Sequence, residues 1–205
     1  MMTASALTLW RWLNCLFEDL SLDVHPGRAL VVRGANGSGK TTLLRVLAGL
    51  TLPDSGAVCW DDETIERCRQ AYGAELGYLG HLNGLKADLS PALNLTFASA
   101  LLGASKDGWR NLVEPLALTD CVDLPVRYLS AGQKRRTALA RLLLHPGRLW
   151  ILDEPFSNLD DAGREWVEAR LLAHLEDGGS AVLAVHQPLG IDPGRLDLLR
   201  METTR

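Results

Sequence analysis

Three short apolar runs punctuate the chain, and each stops at a glycine or a polar residue. Residues 29–34 read ALVVRG, residues 149–154 read LWILDE, and residues 181–186 read AVLAVH. None of them alternates apolar with polar positions. That pattern predicts strands covered on both faces, hence a parallel sheet. Between the runs the period becomes helical. Residues 40–50 follow the first run directly. In 132–145, Ala138, Leu139, Leu142 and Leu143 fall on one helical face, while Arg135, Arg136 and Arg141 lie mostly off it. In 162–177, Trp166, Val167, Leu171 and Leu175 recur at the same spacing. Strands alternating with helices predict an α/β fold with a mostly parallel sheet. Roughly 85–130 carries no strong strand signal and is expected to be a helical insertion within one domain spanning 1–205. No internal repeat is visible. In open α/β sheets ligands bind beyond the C-terminal strand ends, so the three polar run ends mark the expected crevice.

Composition narrows the classes. A chain of 205 residues with 47% hydrophobic and 22% charged positions is an ordinary globular protein, not a disordered one. A net charge of −4 without a basic run argues against general nucleic-acid binding. The longest uncharged stretch, 89–105, is 17 residues long and contains Pro91 and Asn94, too short and too polar to span a bilayer. The opening MMTASALTLWRW has neither an early positive charge nor a long apolar core, so no secretory leader is expected. Cys15, Cys59, Cys68 and Cys121 are scattered, without a CxxC pair, and are expected to be free thiols.

The first strand end carries the strongest chemistry. Gly34, Ala35, Asn36, Gly37, Ser38, Gly39, Lys40 and Thr41 fit G-x-x-x-x-G-K-[ST], with Thr42 next. Glycines let backbone N–H groups curl around phosphate oxygens, and the following helix presents its positive end. In that pattern Lys40 reaches the β- and γ-phosphates of ATP, and the Thr41 hydroxyl is placed on Mg²⁺. Asp153, 113 residues after Lys40, closes the LWIL run and suits the same Mg²⁺. Glu154, one step on, can polarise water as a general base. Ser130 can cap the Arg-rich helix that starts beside it, and that helix end favours an anion.

Leu129-Ser130-Ala131-Gly132-Gln133 resembles the LSGGQ signature of ATP-binding cassette (ABC) ATPases, with alanine for one glycine. Ser157-Asn158-Leu159-Asp160 is similar to the family's D-loop, and His186 to its switch histidine. The resemblance covers nearly the whole chain, and it implies an ABC-type phosphate-loop fold. It also implies that Ser130, Gly132 and Gln133 face the phosphate loop of a second copy, so a complete site needs a homodimer. Asp160 would link the two sites, and His186 would contact the γ-phosphate. Where the family carries a glutamine at the strand entering the insertion, this chain has His81. The adenine is expected on Trp10 or Trp12, which share one strand parity. His25, His145 and His174 have no motif context and are expected at the surface.

Three local details resemble the ABC subfamily of haem exporters in cytochrome c biogenesis: Gly80-His81 followed by Gly84-Leu85-Lys86, the run Leu149–Phe156, and His186-Gln187-Pro188-Leu189. That resemblance implies a peripheral ATPase on the cytoplasmic face of the bacterial inner membrane. Its partners would be a CcmB-like membrane subunit and a CcmC-like haem-handling subunit. ATP hydrolysis would drive haem export or release of a haem-loaded CcmE-like chaperone.

Overall fold

The computed structural model describes residues 1–202 apart from 104 and 106. In chain order the elements are β1 (Met2–Arg11), β2 (Asn14–Val24), β3 (Ala29–Gly34), α1 (Lys40–Leu47), β4 (Ser55–Trp60), β5 (Glu63–Thr64), α2 (Arg69–Glu75) and β6 (Leu76–Leu79). They continue with α3 (Pro91–Leu101), α4 (Ala131–Leu143), β7 (Leu149–Asp153), α5 (Asp161–Glu176), β8 (Ser180–Ala184) and β9 (Leu196–Met201). Short 3₁₀ turns occupy Gly108–Leu112, Thr119–Cys121 and Val126–Tyr128, and no strand lies among the described residues between α3 and α4.

Five strands pair in the order β6-β7-β8-β3-β9, all parallel. Every residue of β7 and β8 is buried, as continuous apolar runs require when both sheet faces are covered. One face packs α1 and the N-terminal sheet through Leu30, Val32, Leu43, Leu47, Ile151 and Val182. The other packs α4 and α5 through Val31, Leu139, Leu152, Leu171 and Leu183. Register then aligns the strand ends. Asp153 pairs with Ala184, and Leu79 with Leu152. Val32 pairs with Ala184 as well, two residues before Gly34. The segments that follow these strands therefore emerge side by side at one sheet edge.

A second, antiparallel sheet in the order β2-β1-β4-β5 has no counterpart among the three apolar runs. Its strands alternate, but register shifts between Ala4 and Leu7 and again near Leu9 break the period of two. Strand parity at the tryptophans also needs correcting. Trp10 lies in β1, but Trp12 sits in the turn beyond it with φ 56°, outside the strand. The two residues therefore do not share a strand face.

The expected surface position of His174 is not observed. Its ring stacks on Trp150 with centroids 4.0 Å apart, and Nε2 lies 3.2 Å from the Ser180 carbonyl. His145 is likewise half-buried. Burial holds both imidazoles below the ordinary histidine value. The unfolded chain then binds more protons than the folded one as pH falls through about 6.5, so folding free energy is lost on the acid side. We expect the melting temperature to drop as pH is lowered from 7 toward 5. In His174→Phe, which keeps an aromatic ring against Trp150, that slope becomes shallower. An unchanged slope in the variant, followed by circular dichroism, would assign the acid sensitivity to other groups.

Candidate active site

The turn from β3 into α1 holds the phosphate-loop sequence. Gly37 and Gly39 take φ of 83° and 90°, a region that side-chain-bearing residues rarely occupy. Ala35, Asn36 and Gly37 are exposed, Thr42 is half-buried, and Gly39 caps α1. Lys40 folds back over the loop, its Nζ donating to the carbonyls of Gly34 at 2.8 Å and Ala35 at 2.9 Å. Ser38 Oγ is buried and has no hydrogen-bond partner among the described residues. A buried hydroxyl without a partner is costly, and an oxygen-rich ligand in the loop would satisfy it. The donor set therefore fits a phosphate chain.

Thr41 Oγ1 donates to Asp153 Oδ2 at 2.8 Å. This bond joins α1 to the end of β7 across 112 positions of sequence. A hydroxyl and a carboxylate converging beside a phosphate cradle are hard oxygen ligands of the kind Mg²⁺ prefers. Asp153 itself is only 2% exposed.

Glu154 is the first residue past β7, with φ 49°. Its N–H donates to the Ala184 carbonyl of β8 at 3.0 Å. Its carboxylate Oε1 lies 3.2 Å from His186 Nε2, two residues beyond the end of β8. Both side chains remain partly exposed. They line a cleft of about 370 Å³ together with Phe156, Ser157, Asn158 and Arg164. An acceptor carboxylate paired with an imidazole in an open cleft is suited to accept a proton from water.

The Ser130–Gln133 segment is built as a helix start. Ser130 Oγ accepts the Gln133 N–H at 3.2 Å, and Gln133 Oε1 accepts the Ser130 N–H at 2.9 Å. This reciprocal capping box explains the Ser-x-x-Gln spacing. The position of Gly132 admits no side chain, because a Cβ there would lie 2.7 Å from the Asn158 carbonyl oxygen. Asp160 caps α5 by accepting the Gly163 N–H at 2.9 Å and pairs with Arg136 at 2.8 Å. The Gly163 N–H, then Arg136, hold its carboxyl below the usual range. The signature and D-loop segments of one chain are thus one packed unit. Among the described residues that unit shares no hydrogen bond with the chain's own phosphate loop.

Three sequence candidates stand apart. His81 follows β6 by two residues and is exposed, with no hydrogen bond to the Glu154 pair. Trp10 is half exposed, and Trp12, at 98% exposure, tips the hairpin between β1 and β2. That hairpin runs back to the loop at Leu16, whose Cβ is 3.4 Å from where a Gly39 Cβ would stand.

The arginines of α4 are the residues that sequence reasoning missed. Arg135, read as lying off the apolar face, is 2% exposed. It donates to the carbonyls of Gly80, Asp153, Glu154 and Pro155 and to Asn83 Oδ1. Burial pulls its guanidinium down to about 10, so it remains a cation at neutral pH. Arg141 donates to the carbonyls of Asn83 and Gly84. Helical period alone could not reveal this, since the loop after β6 covers that side of α4 only in the folded chain.

The chain is similar to known proteins along most of its length. The ABC transporter family model matches residues 17–157. The chain is 47% identical over 190 residues to the "Cytochrome c biogenesis ATP-binding export protein CcmA" of Methylococcus capsulatus (strain Bath), covering 92% of each chain. It is 40% identical over 203 residues to the protein of the same name from Shewanella sp. (strain MR-4), covering 98% of this chain and 94% of the other. The dimeric structure of a bacterial ABC transporter cassette superposes with a TM-score of 0.81 at 19% identity, covering 100% of this chain and 97% of that one.

Proposed function

The chain belongs to the ABC transporter family, as an ATP hydrolase of its cytochrome c biogenesis export group, and from that premise we propose how its residues divide the work. The observation that carries the proposal is the meeting of four strand ends at one edge, with Thr41 bonded to Asp153 and Glu154 paired with His186.

ATP lies with its phosphates along the Gly34–Gly39 backbone. Lys40 Nζ exchanges the Gly34 and Ala35 carbonyls for β- and γ-phosphate oxygens. Ser38 Oγ gains its partner there. Thr41 and Asp153 would hold Mg²⁺, which would neutralise charge on the phosphates. Glu154 takes a proton from water as its oxygen attacks the γ-phosphorus. The bond from that phosphorus to the bridging oxygen breaks, and ADP and phosphate leave. His186, whose Nε2 lies 3.2 Å from Glu154 Oε1, contacts the γ-phosphate. His81 stands just past the end of β6, where the family's glutamine senses the same water. Trp10 or Trp12 stacks on the adenine.

The signature unit completes the site of a second copy. Ser130, Gly132 and Gln133 present the start of α4 to the other chain's γ-phosphate, and Asp160 joins the two sites. Two copies thus enclose two ATP molecules. The packed Gly132–Asn158 contact supports this, because it moves both segments as one body.

The motor works on a membrane partner at the cytoplasmic face of the inner membrane. No helix among the described residues is long and apolar enough to cross a bilayer. The α3 helix leaves a row of Leu93, Phe97 and Leu101 exposed, four residues apart on one face. We assign this row to a CcmB-like membrane subunit, with a CcmC-like subunit alongside. The energy of hydrolysis drives haem export or frees a haem-loaded CcmE-like chaperone.

Affinity purification of the tagged chain from native membranes, with mass identification of what accompanies it, tests this reading. CcmB-like and CcmC-like proteins are the expected companions. Phe97→Asp combined with Leu101→Asp should remove them while ATP binding is retained. Recovery of a different permease would keep the ATPase and discard the cytochrome c assignment. Recovery of no membrane protein would overturn the membrane role altogether.

A further inference from the structure

Arg135 has five N–H donors and five acceptors. Nε donates to the Pro155 carbonyl at 3.3 Å, and one terminal nitrogen to the Gly80 carbonyl at 3.0 Å and Asn83 Oδ1 at 3.1 Å. The other terminal nitrogen donates to the carbonyls of Asp153 and Glu154. A planar five-donor fork can span two loops in this way, whereas an ammonium cannot.

The acceptors fall into two groups that sequence keeps far apart. Asp153 to Pro155 form the turn that carries Glu154. Gly80 and Asn83 flank His81 on the loop leading into the helical insertion. Glu154 is thereby fixed on both sides of its backbone, by its N–H on Ala184 and its carbonyl on Arg135. Its φ of 49° is a conformation that surroundings must hold in place. The guanidinium itself comes from α4, which packs on the parallel sheet through Leu139 and on the insertion's own core through Ala140. A shift of α4 against the sheet cannot keep both groups of bonds.

We propose that Arg135 is a positioning residue for hydrolysis: it ties the Glu154 turn to the loop bearing His81, so that the placement of the helical insertion sets the aim of the Glu154 carboxylate. The proposal rests on Glu154 as the base in ATP hydrolysis. The donors of Arg135 are taken by the two loops, so Arg135 acts through Glu154.

The test uses the full chain with its membrane partners. Arg135→Met keeps an unbranched apolar stem and removes every donor. Its kcat should fall roughly 10- to 100-fold, the scale of a misplaced catalytic group, while KM for ATP and ATP affinity stay within about threefold on that same scale. Arg135→Lys, with one point donor group, should remain nearer to Met than to the parent. In the Glu154→Gln background, Arg135→Met should cause no further loss. A residue that served folding alone would lower the melting temperature and leave kcat per ATP-binding site at the parental value. That result, or a fully additive loss in the Glu154→Gln background, overturns the proposal. If Arg135→Met does not fold, Asn83→Ala carries the test, since it removes one acceptor from a partly exposed loop. Its kcat should fall severalfold at unchanged ATP affinity, and a parental kcat overturns the proposal. Failure of the Glu154 reading shows separately, as Glu154→Gln turning over at the parental rate.

Discussion

Glu154→Gln lowers ATP turnover by roughly 10²- to 10⁴-fold, the contribution of a well-placed general base. Glutamine has nearly the shape of glutamate, and its amide can still meet His186 Nε2, now 3.2 Å from the carboxylate. It cannot take up a proton. The backbone of residue 154 keeps both its anchors, on Ala184 and on Arg135. Binding therefore survives while chemistry stops. The phosphate loop, Thr41 and Asp153 are untouched, so ATP affinity stays within a fewfold of the parent. With ATP bound and not consumed, two copies should remain closed and elute as a dimer in ATP but not in ADP. Phosphate release in steady state and size-exclusion in each nucleotide read the two halves of this result. Parental turnover in the variant removes Glu154 from the role of base.

Lys40→Ala acts at the earlier step. Lys40 is buried, and among the described residues its ammonium donates to the carbonyls of Gly34 and Ala35. Loss of a charge-assisted bond of this kind weakens binding by about 10- to 100-fold. Because γ-phosphate charge develops further during transfer, turnover falls more than affinity does. The fold should tolerate the change, since both carbonyls border a loop whose exposed residues already meet solvent. Lys40→Arg should not restore activity, as the larger planar group does not fit a cradle shaped by Gly37 and Gly39. Calorimetric titration with ATP in the Glu154→Gln background isolates binding from consumption. Affinity within twofold of the parent would mean that the ammonium does not reach the phosphates.

These two positions were legible from sequence for a physical reason. The phosphate loop is contiguous, and its glycine and lysine requirements are local. Glu154 and His186 were legible as separate strand ends. Their pairing was not, because it depends on Asp153 lying opposite Ala184 in the β7–β8 register. Thr41 and Asp153 were read as sharing one Mg²⁺, and the fold adds the direct bond between them at 2.8 Å. Residues whose work is to join distant segments were illegible. Arg135 and Arg141 look like solvated charges on a helical wheel, yet the β6 exit loop lies across them and takes their donors. Trp12 looks like a strand residue until the hairpin turn claims it. The antiparallel sheet was legible only around Trp10, where a strand was read, because register shifts break its alternation. His174 escaped because a half-buried stack on Trp150 leaves no motif.

The proposed role is that ATP hydrolysis by this chain is spent on cytochrome c maturation. The direct measurement replaces the chromosomal copy with Glu154→Gln and follows covalently haem-bearing c-type cytochromes by haem stain, with b-type haem proteins as the control. In that strain c-type haem staining should disappear, b-type haem should remain, and the variant should still reach the membrane. Normal c-type cytochromes alongside a variant shown not to turn over ATP would contradict the proposed role.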